Sequence, residues 1–70
     1  MDGVQKAIQL AATGSSIEAA IEEALDRAEL TLERVDSFEV TSISGHREEA
    51  GLQYDVKLTV WFTLLERMHG

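Results

Sequence analysis

The feature that most constrains the fold is a change of hydrophobic period near Phe38. Upstream of it, apolar residues recur every three or four positions, as one face of a helix requires. These residues are Ile17, Ala20, Ile21, Ala24, Leu25, Ala28, Leu32 and Val35. Downstream, apolar and polar residues alternate, as in strands with one covered face. The pattern predicts one amphipathic helix of about 20 residues followed by two strands.

Two segments downstream of the helix show the alternation. In the first, one face is predicted to carry Phe38, Val40 and Ser42, and the other Ser37, Glu39, Thr41 and Ile43. In the second, the apolar side chains that must cover the helix are Tyr54, Val56, Leu58, Val60, Phe62 and Leu64. The side chains that face away from the helix are Asp55, Lys57, Thr59, Trp61 and Thr63.

The stretch Gly45–Gly51 contains two glycines and predicts the connection of an antiparallel hairpin between these strands. A hairpin centred near Glu49 places Ser37 opposite Trp61. The same register sets Phe38 against Val60 and Val40 against Leu58, so apolar residues meet apolar residues.

The first segment, about Val4 to Ala12, alternates less regularly, because Lys6 falls on its apolar face. We predict a strand, since the break from Thr13 to Ser16 leaves too little chain for a stable helix before it. Ser15 followed three residues later by Glu18 predicts a capping box at the helix start. The expected architecture is a single β-α-β-β domain over residues 1–70.

Composition narrows the possible partners. A chain of 70 residues buries little surface alone, so we expect oligomerisation. It has no cysteine for disulfides, and His46 and His69 are too few to form a histidine-rich metal site that would stabilise the fold. Its formal charge of -7 repels nucleic acids and anionic membranes. Without a long apolar run, the sequence predicts a cytoplasmic protein that binds neither nucleic acid nor membrane.

Several stretches give the chain a resemblance to the dodecin family. They are Ala12-Thr13-Gly14, Ala19-Ala20-Ile21, Arg27-Ala28, Asp36-Ser37-Phe38-Glu39-Val40, Ser44-Gly45-His46 and Asp55-Val56 through Val60-Trp61-Phe62. The resemblance spans nearly the whole chain. It implies an α+β subunit whose three-stranded antiparallel sheet wraps around one helix, assembled into a dodecameric hollow shell.

The resemblance also implies a function and a ligand. Dodecins typically bind pairs of flavins at two-fold axes, with each ring stacked on a tryptophan and held by a glutamine. Their role is to store flavins rather than to catalyse a reaction. The implied ligand of this chain is therefore riboflavin, FMN or FAD, and strand alternation supplies no ordered catalytic set.

The chain departs from the family at both defining contacts. Ser37 stands at the position of the stacking tryptophan, and Asp55 at that of the glutamine. Ser44 and Thr63 stand where bacterial relatives often have arginine. The only tryptophan is Trp61, on the Ser37 face by strand parity. It either stacks a flat ligand in place of the missing ring, or fills an emptied pocket or a subunit contact.

The candidate ligand-binding residues are Trp61, Ser37, Asp55, Glu39 and His46. In the leading hypothesis, Trp61 stacks the ring and Asp55 accepts hydrogen bonds from its polar edge. In a second hypothesis the shell is structural and binds no flavin, or binds another small ligand. In a third, carboxylates such as Glu48, Glu49 and Asp55 hold metal ions between subunits, because no single segment resembles a calcium loop.

Overall fold

The computed structural model describes residues 4–31 and 34–64. Its elements are strand β1 (Val4–Gly14), helix α1 (Ile17–Thr31), strand β2 (Val35–Glu48) and strand β3 (Gly51–Leu64). The strands form one antiparallel sheet of order β1-β3-β2, which makes β3 the central strand. The predicted β-α-β-β order and three-stranded antiparallel sheet are confirmed.

The core lies between the alanine face of α1 and the central strand. Along the helix, the buried side chains are Ala20, Ala24 and Ala28. Along β3, every second side chain is buried, namely Val56, Leu58, Val60 and Phe62. The small helix residues allow a close approach to the sheet. A Cβ atom on Gly14 would lie 2.7 Å from the backbone nitrogen of Ala20, so this approach requires glycine.

The helix begins one residue later than the predicted capping box. The Ser16 hydroxyl accepts a hydrogen bond of 3.0 Å from the backbone N–H of Ala19, so Ser16 rather than Ser15 is the N-cap. Glu18 then lies in the first turn, where its negative charge interacts favourably with the helix dipole. The helix is also shorter than predicted, because Val35 already begins β2. Leu32 lies outside the described residues.

The predicted register of the hairpin is confirmed from Ser37 to Val40, between two register shifts in β2. Ser37 pairs with Trp61, Phe38 with Val60, and Val40 with Leu58. These pairings place Phe38 and Val40 on the side of the sheet that carries α1. Ser37 therefore lies on the opposite side, together with Trp61.

Beyond Val40 the prediction is wrong, because the register shifts between Val40 and Ser42. The extra residue, Thr41, donates a hydrogen bond of 3.2 Å from its hydroxyl to the backbone oxygen of Lys57. The bulge exchanges the two faces of β2. Ile43 now pairs with Val56 on the helix side, and Ser42 pairs with Lys57 on the other side.

The hairpin connection is also shorter than predicted. β2 continues to Glu48, which pairs with Gly51, so the turn consists of Glu49 and Ala50 rather than the whole stretch from Gly45 to Gly51. Gly51 has a φ angle of 137°, a conformation that glycine adopts without a steric penalty.

The helix contacts β1 and β3 more extensively than β2, where Val35 and Val40 reach the core but other apolar side chains stay exposed. Phe38 is 43% exposed and Ile43 is 51% exposed, although both lie on the apolar side of the sheet. Near the hairpin turn, Leu52 is 55% exposed. A single chain therefore leaves a row of apolar side chains uncovered. Among the described residues, no helix has the length and hydrophobicity needed to cross a membrane.

Candidate ligand-binding face

The candidate site lies on the face of the sheet that points away from α1, which we call the open face. Because side chains alternate along a strand, the residues between the buried positions of β3 belong to this face. They are Asp55, Lys57, Thr59, Trp61 and Thr63. Residues paired directly with them on β1 and β2 share the face, so most of the open face is polar.

Trp61 is the large aromatic residue of this polar face, and both of its neighbours are small. Ala7 on β1 and Ser37 on β2 pair directly with it, and the three residues form what we call the Trp61 row. Directly paired Cβ atoms lie about 4.5–5.5 Å apart. The half-buried indole therefore has little side-chain bulk on either flank. Sequence reasoning identified Ser37 but missed Ala7, because the register of β1 against β3 was not predicted.

Two acidic residues lie beside the Trp61 row. Glu39 pairs with Thr59, and this places it diagonally from Trp61 on the open face, about 7–8 Å away. Asp36 accepts a hydrogen bond of 2.6 Å from the Thr63 hydroxyl and forms an ion pair of 3.2 Å with Arg34. The hydrogen bond links the start of β2 to the end of β3. Sequence reasoning proposed Glu39 but gave Asp36 no role.

His46, Glu48 and Asp55 form a second group near the hairpin turn, which we call the histidine cluster. The His46 Nε2 atom lies 2.8 Å from Glu48 Oε2, and its Nδ1 atom lies 3.4 Å from Asp55 Oδ2. A neutral imidazole has only one N–H, so donation to both carboxylates requires the positively charged ring. The hydrogen bond to Glu48, with a smaller contribution from Asp55, raises the pKa of His46 above its ordinary value.

Asp55 also lines an open cleft of about 730 Å³ between the sheet and the side of α1. The polar side chains that line it are Thr13, Glu23, Arg27, Ser44, Asp55 and Lys57. Arg27 donates a hydrogen bond to the backbone oxygen of Ala11 and lies 3.8 Å from the Glu23 carboxylate. The cleft thus brings together residues from all four elements, and it contains charges of both signs.

The structure divides the predicted site residues into two groups. Trp61, Ser37 and Glu39 lie together, and so do Asp55 and His46. Trp61 and Asp55 are separated by six positions on one extended strand, a distance of about 20 Å. Within one chain they cannot touch the same flavin ring. A single ring that contacts both residues would have to lie between two copies of the chain.

The chain also contains candidate metal ligands, but those that the structure describes do not form a coordination site within one copy. In residues 4–31 and 34–64, no group of three histidine, aspartate or glutamate side chains is arranged to hold a metal ion. In the histidine cluster, both ring nitrogens face carboxylate oxygens, which is the arrangement of an ion-paired imidazolium.

The fold and its open face define a small α+β protein in which one helix covers one side of a three-stranded sheet. The family model for dodecins matches residues 3–65, and the chain therefore belongs to the dodecin family. Dodecins are small binding and storage proteins.

Individual relatives agree with this assignment. The chain is 46% identical to a dodecin from Thermus thermophilus over 68 residues, which span 94% of this chain and 99% of the relative. A crystal structure of the Thermus thermophilus protein tt0972 is 45% identical and superposes with a TM-score of 0.82, covering 93% of this chain and 98% of that one.

A more distant relative is a calcium-chelating dodecin. A crystal structure of the calcium-chelating calcium dodecin from Mycobacterium tuberculosis is 28% identical to this chain. It superposes with a TM-score of 0.76 and covers 96% of this chain and 99% of that one. The structure of that protein is described as having a novel calcium-binding site.

Proposed function

We propose that this chain is a flavin-storing dodecin in which Trp61 takes over the stacking role of the tryptophan replaced by Ser37. The observation that carries the proposal is the Trp61 row, where the indole is flanked by Ala7 and Ser37. A flat ring needs an aromatic surface with free space above it. Small residues on both flanks leave that space, and the half-buried indole is already held by the central strand.

The proposed active form is a dodecameric shell. One chain leaves Phe38, Ile43 and Leu52 exposed on the apolar side of the hairpin. Burial of such side chains contributes about 1.5–3 kcal/mol each. A second copy packed against this surface would supply the burial that a 70-residue chain lacks. The separation of Trp61 from Asp55 also fits a site that is completed by two copies.

The altered contacts change which flavin is preferred. Ser44 and Thr63 carry no charge at positions where relatives often have arginine, so a flavin phosphate gains no charge-assisted contact there. An ionised carboxylate at Asp55 accepts hydrogen bonds but donates none, unlike a glutamine amide. We therefore expect riboflavin to bind at least as tightly as FMN or FAD.

Fluorescence titration of riboflavin tests the proposal, with light scattering to establish the size of the assembly. The wild-type protein should quench riboflavin, and Trp61→Ala should weaken the affinity by about 1–3 kcal/mol, the contribution known for base–aromatic stacking. Trp61→Phe should retain part of the affinity, because it keeps an aromatic ring. Thr59→Ala, on the same strand and face, is the matched control and should leave the affinity unchanged.

Two results would contradict the proposal. An intact dodecamer that does not quench riboflavin would identify a structural shell. Equal affinities for the wild type and Trp61→Ala would show that the ring binds elsewhere. In a structural shell, Trp61→Ala should instead lower the thermal stability of the assembly, because the indole would then close a packing gap.

The calcium-chelating relative supports an alternative in which metal ions bind between subunits. The carboxylates available near the hairpin turn are Glu48, Glu49 and Asp55. Calcium requires six to eight oxygen ligands, so several copies would have to contribute. This alternative predicts that calcium raises, and a chelator lowers, the unfolding temperature of the assembly. An unfolding temperature that is independent of both would exclude it.

A further inference from the structure

We infer that Gln9 and Glu39 determine which flat ring the Trp61 row accepts: a neutral heteroaromatic ring whose edge carries both an N–H donor and a carbonyl acceptor. Glu39 accepts the hydrogen bond from the N–H group, and the Gln9 amide donates one to the carbonyl oxygen. This inference rests on the proposed function, because it concerns the edge of a ring that Trp61 stacks. It assigns to Glu39 the hydrogen bond that the sequence assigned to Asp55.

Gln9 and Glu39 lie at the same level of the open face, on either side of the central strand. Both pair directly with Thr59, Gln9 from β1 and Glu39 from β2. Each is therefore a diagonal neighbour of Trp61, about 7–8 Å away and within reach of a long side chain. Two strand spacings, about 9.5 Å, separate the two residues. Their side chains thus approach one edge of a ring stacked on Trp61 from opposite sides.

Neither side chain has a hydrogen-bond or ion-pair partner in the described parts of the chain. Glu39 forms no ion pair there, although Lys57 lies on the same face of the sheet. The Gln9 amide forms no hydrogen bond within the same residues, and it lines an open cavity of about 260 Å³ beside Thr41. Both side chains are exposed, so their polar groups are available to a ligand.

The opposite end of the row does not offer the same pair. There Gln5 pairs with Thr63, and Asp36 lies on the β2 side. Both carboxylate oxygens of Asp36 are engaged, Oδ2 by the Thr63 hydroxyl at 2.6 Å and Oδ1 by Arg34 at 3.2 Å. An unpaired amide and an unpaired carboxylate therefore occur together on the hairpin side of the row, and the polar edge of the ring should point that way.

The chemistry of this pair defines the class of ring. A carboxylate accepts hydrogen bonds and donates none, so the edge that faces Glu39 must carry an N–H group. A glutamine amide can donate to a carbonyl oxygen beside that group. The charge of Glu39 also disfavours an anionic ring, because like charges repel. The pyrimidine edge of riboflavin, an N–H group between carbonyl oxygens, meets these requirements.

Riboflavin and 3-methylriboflavin are the appropriate probes, because they stack alike and differ in the N–H group of this edge. Their affinities would be measured by fluorescence quenching. The wild-type protein should bind riboflavin about tenfold more tightly, the lower end of what a hydrogen bond to a charged group contributes. Glu39→Ala should bind the two flavins equally, whereas Glu39→Gln keeps an acceptor of the same length and should retain part of the preference.

Matched variants separate the two contacts from general effects. Gln9→Ala removes the donor to the carbonyl group and should weaken the binding of both flavins by the same factor, about threefold. Gln5→Ala removes the same side chain from the same face at the other end of the row, and should change neither affinity. Glu29→Ala removes an exposed carboxylate from α1, on the other side of the sheet, and controls for net charge. Light scattering checks that each variant keeps the wild-type assembly.

The outcomes distinguish this inference from the proposed function. If Trp61→Ala weakens riboflavin binding but Glu39→Ala keeps the preference over 3-methylriboflavin, stacking is supported and the inference is overturned. Equal affinities of the wild type for the two flavins, or equal effects of Gln9→Ala and Gln5→Ala, would also overturn it. A wild-type protein that does not quench riboflavin would contradict the proposed function and this inference with it.

Discussion

Trp61 lies directly opposite Ser37 across the β2–β3 ladder, and Ala7 flanks it on the other side. The largest side chain of the open face therefore lies between two of the smallest. A tryptophan in place of Ser37 would occupy the space beside the Trp61 indole, since paired Cβ atoms are only about 4.5–5.5 Å apart. We therefore propose that the two positions can exchange the aromatic ring, and we expect the ladder to leave no room for two indoles and a ligand.

This geometry predicts the outcome of a reciprocal exchange. Ser37→Trp in the wild-type background should weaken riboflavin binding, because the second indole fills the ligand space. In a Trp61→Gly background the same substitution should restore binding, because one ring again faces an open flank. The four affinities, measured by riboflavin quenching, form a double-mutant cycle. Additive effects of the two substitutions would show that the positions do not share one site.

The position of the N-cap leads to a second prediction, on stability. Ser16→Ala removes the hydroxyl that accepts the Ala19 N–H, and should lower the free energy of unfolding by about 1 kcal/mol per chain. Ser15→Ala is the matched control and should have little effect. Denaturant unfolding of both variants measures the difference. If the two substitutions proved equally destabilising, Ser16 would not be the functional cap.

The sequence predicted the parts of the fold that depend on a repeating pattern. The apolar face of α1 was correct from Ala20 to Ala28, and the alternation of β3 from Val56 to Phe62, because burial enforces each pattern over several residues. At the ends the prediction was wrong, since Ile17 and Leu64 are each 37% exposed and Val35 belongs to β2. The bulge at Thr41 was not predictable, because one extra residue changes strand parity without any glycine to mark it. The sequence also could not show which of Ser15 and Ser16 is the N-cap, since the hydroxyl of either serine can accept the hydrogen bond of a cap.

The candidate site was predictable only in part, for a related reason. The pair Ser37 and Trp61 follows from hairpin register, which the apolar residues determine. The contacts of His46 with Glu48 and Asp55 depend on the shifted register beyond Thr41, where the predicted faces were wrong. Sequence reasoning therefore named His46 and Asp55 individually, but it could not show that they contact each other.

The central strand leads to a third prediction, concerning the core. Leu58 is 1% exposed and packs between α1 and the sheet. Leu58→Ala leaves a cavity and should lower the free energy of unfolding by about 2–5 kcal/mol. Thr59→Ala, one residue further along β3 and on the open face, should cost much less. Denaturant unfolding of the two variants at equal protein concentration checks this difference, which would be absent if β3 packed with the opposite parity.

The histidine cluster predicts how the stability of the hairpin depends on pH. Because Glu48 raises the pKa of His46, the folded state holds its proton more tightly than the unfolded state. This stabilisation is fully present below the unfolded pKa of about 6.5 and is lost as the pH rises through the higher folded-state value. The unfolding temperature of the wild type should therefore fall relative to that of His46→Gln between pH 6 and 8.

Glu48→Gln should reduce the difference, whereas Glu49→Gln, which alters a turn carboxylate not paired with His46, should preserve it. Parallel pH profiles for the wild type and His46→Gln would show that the ring does not hold its proton through these two carboxylates.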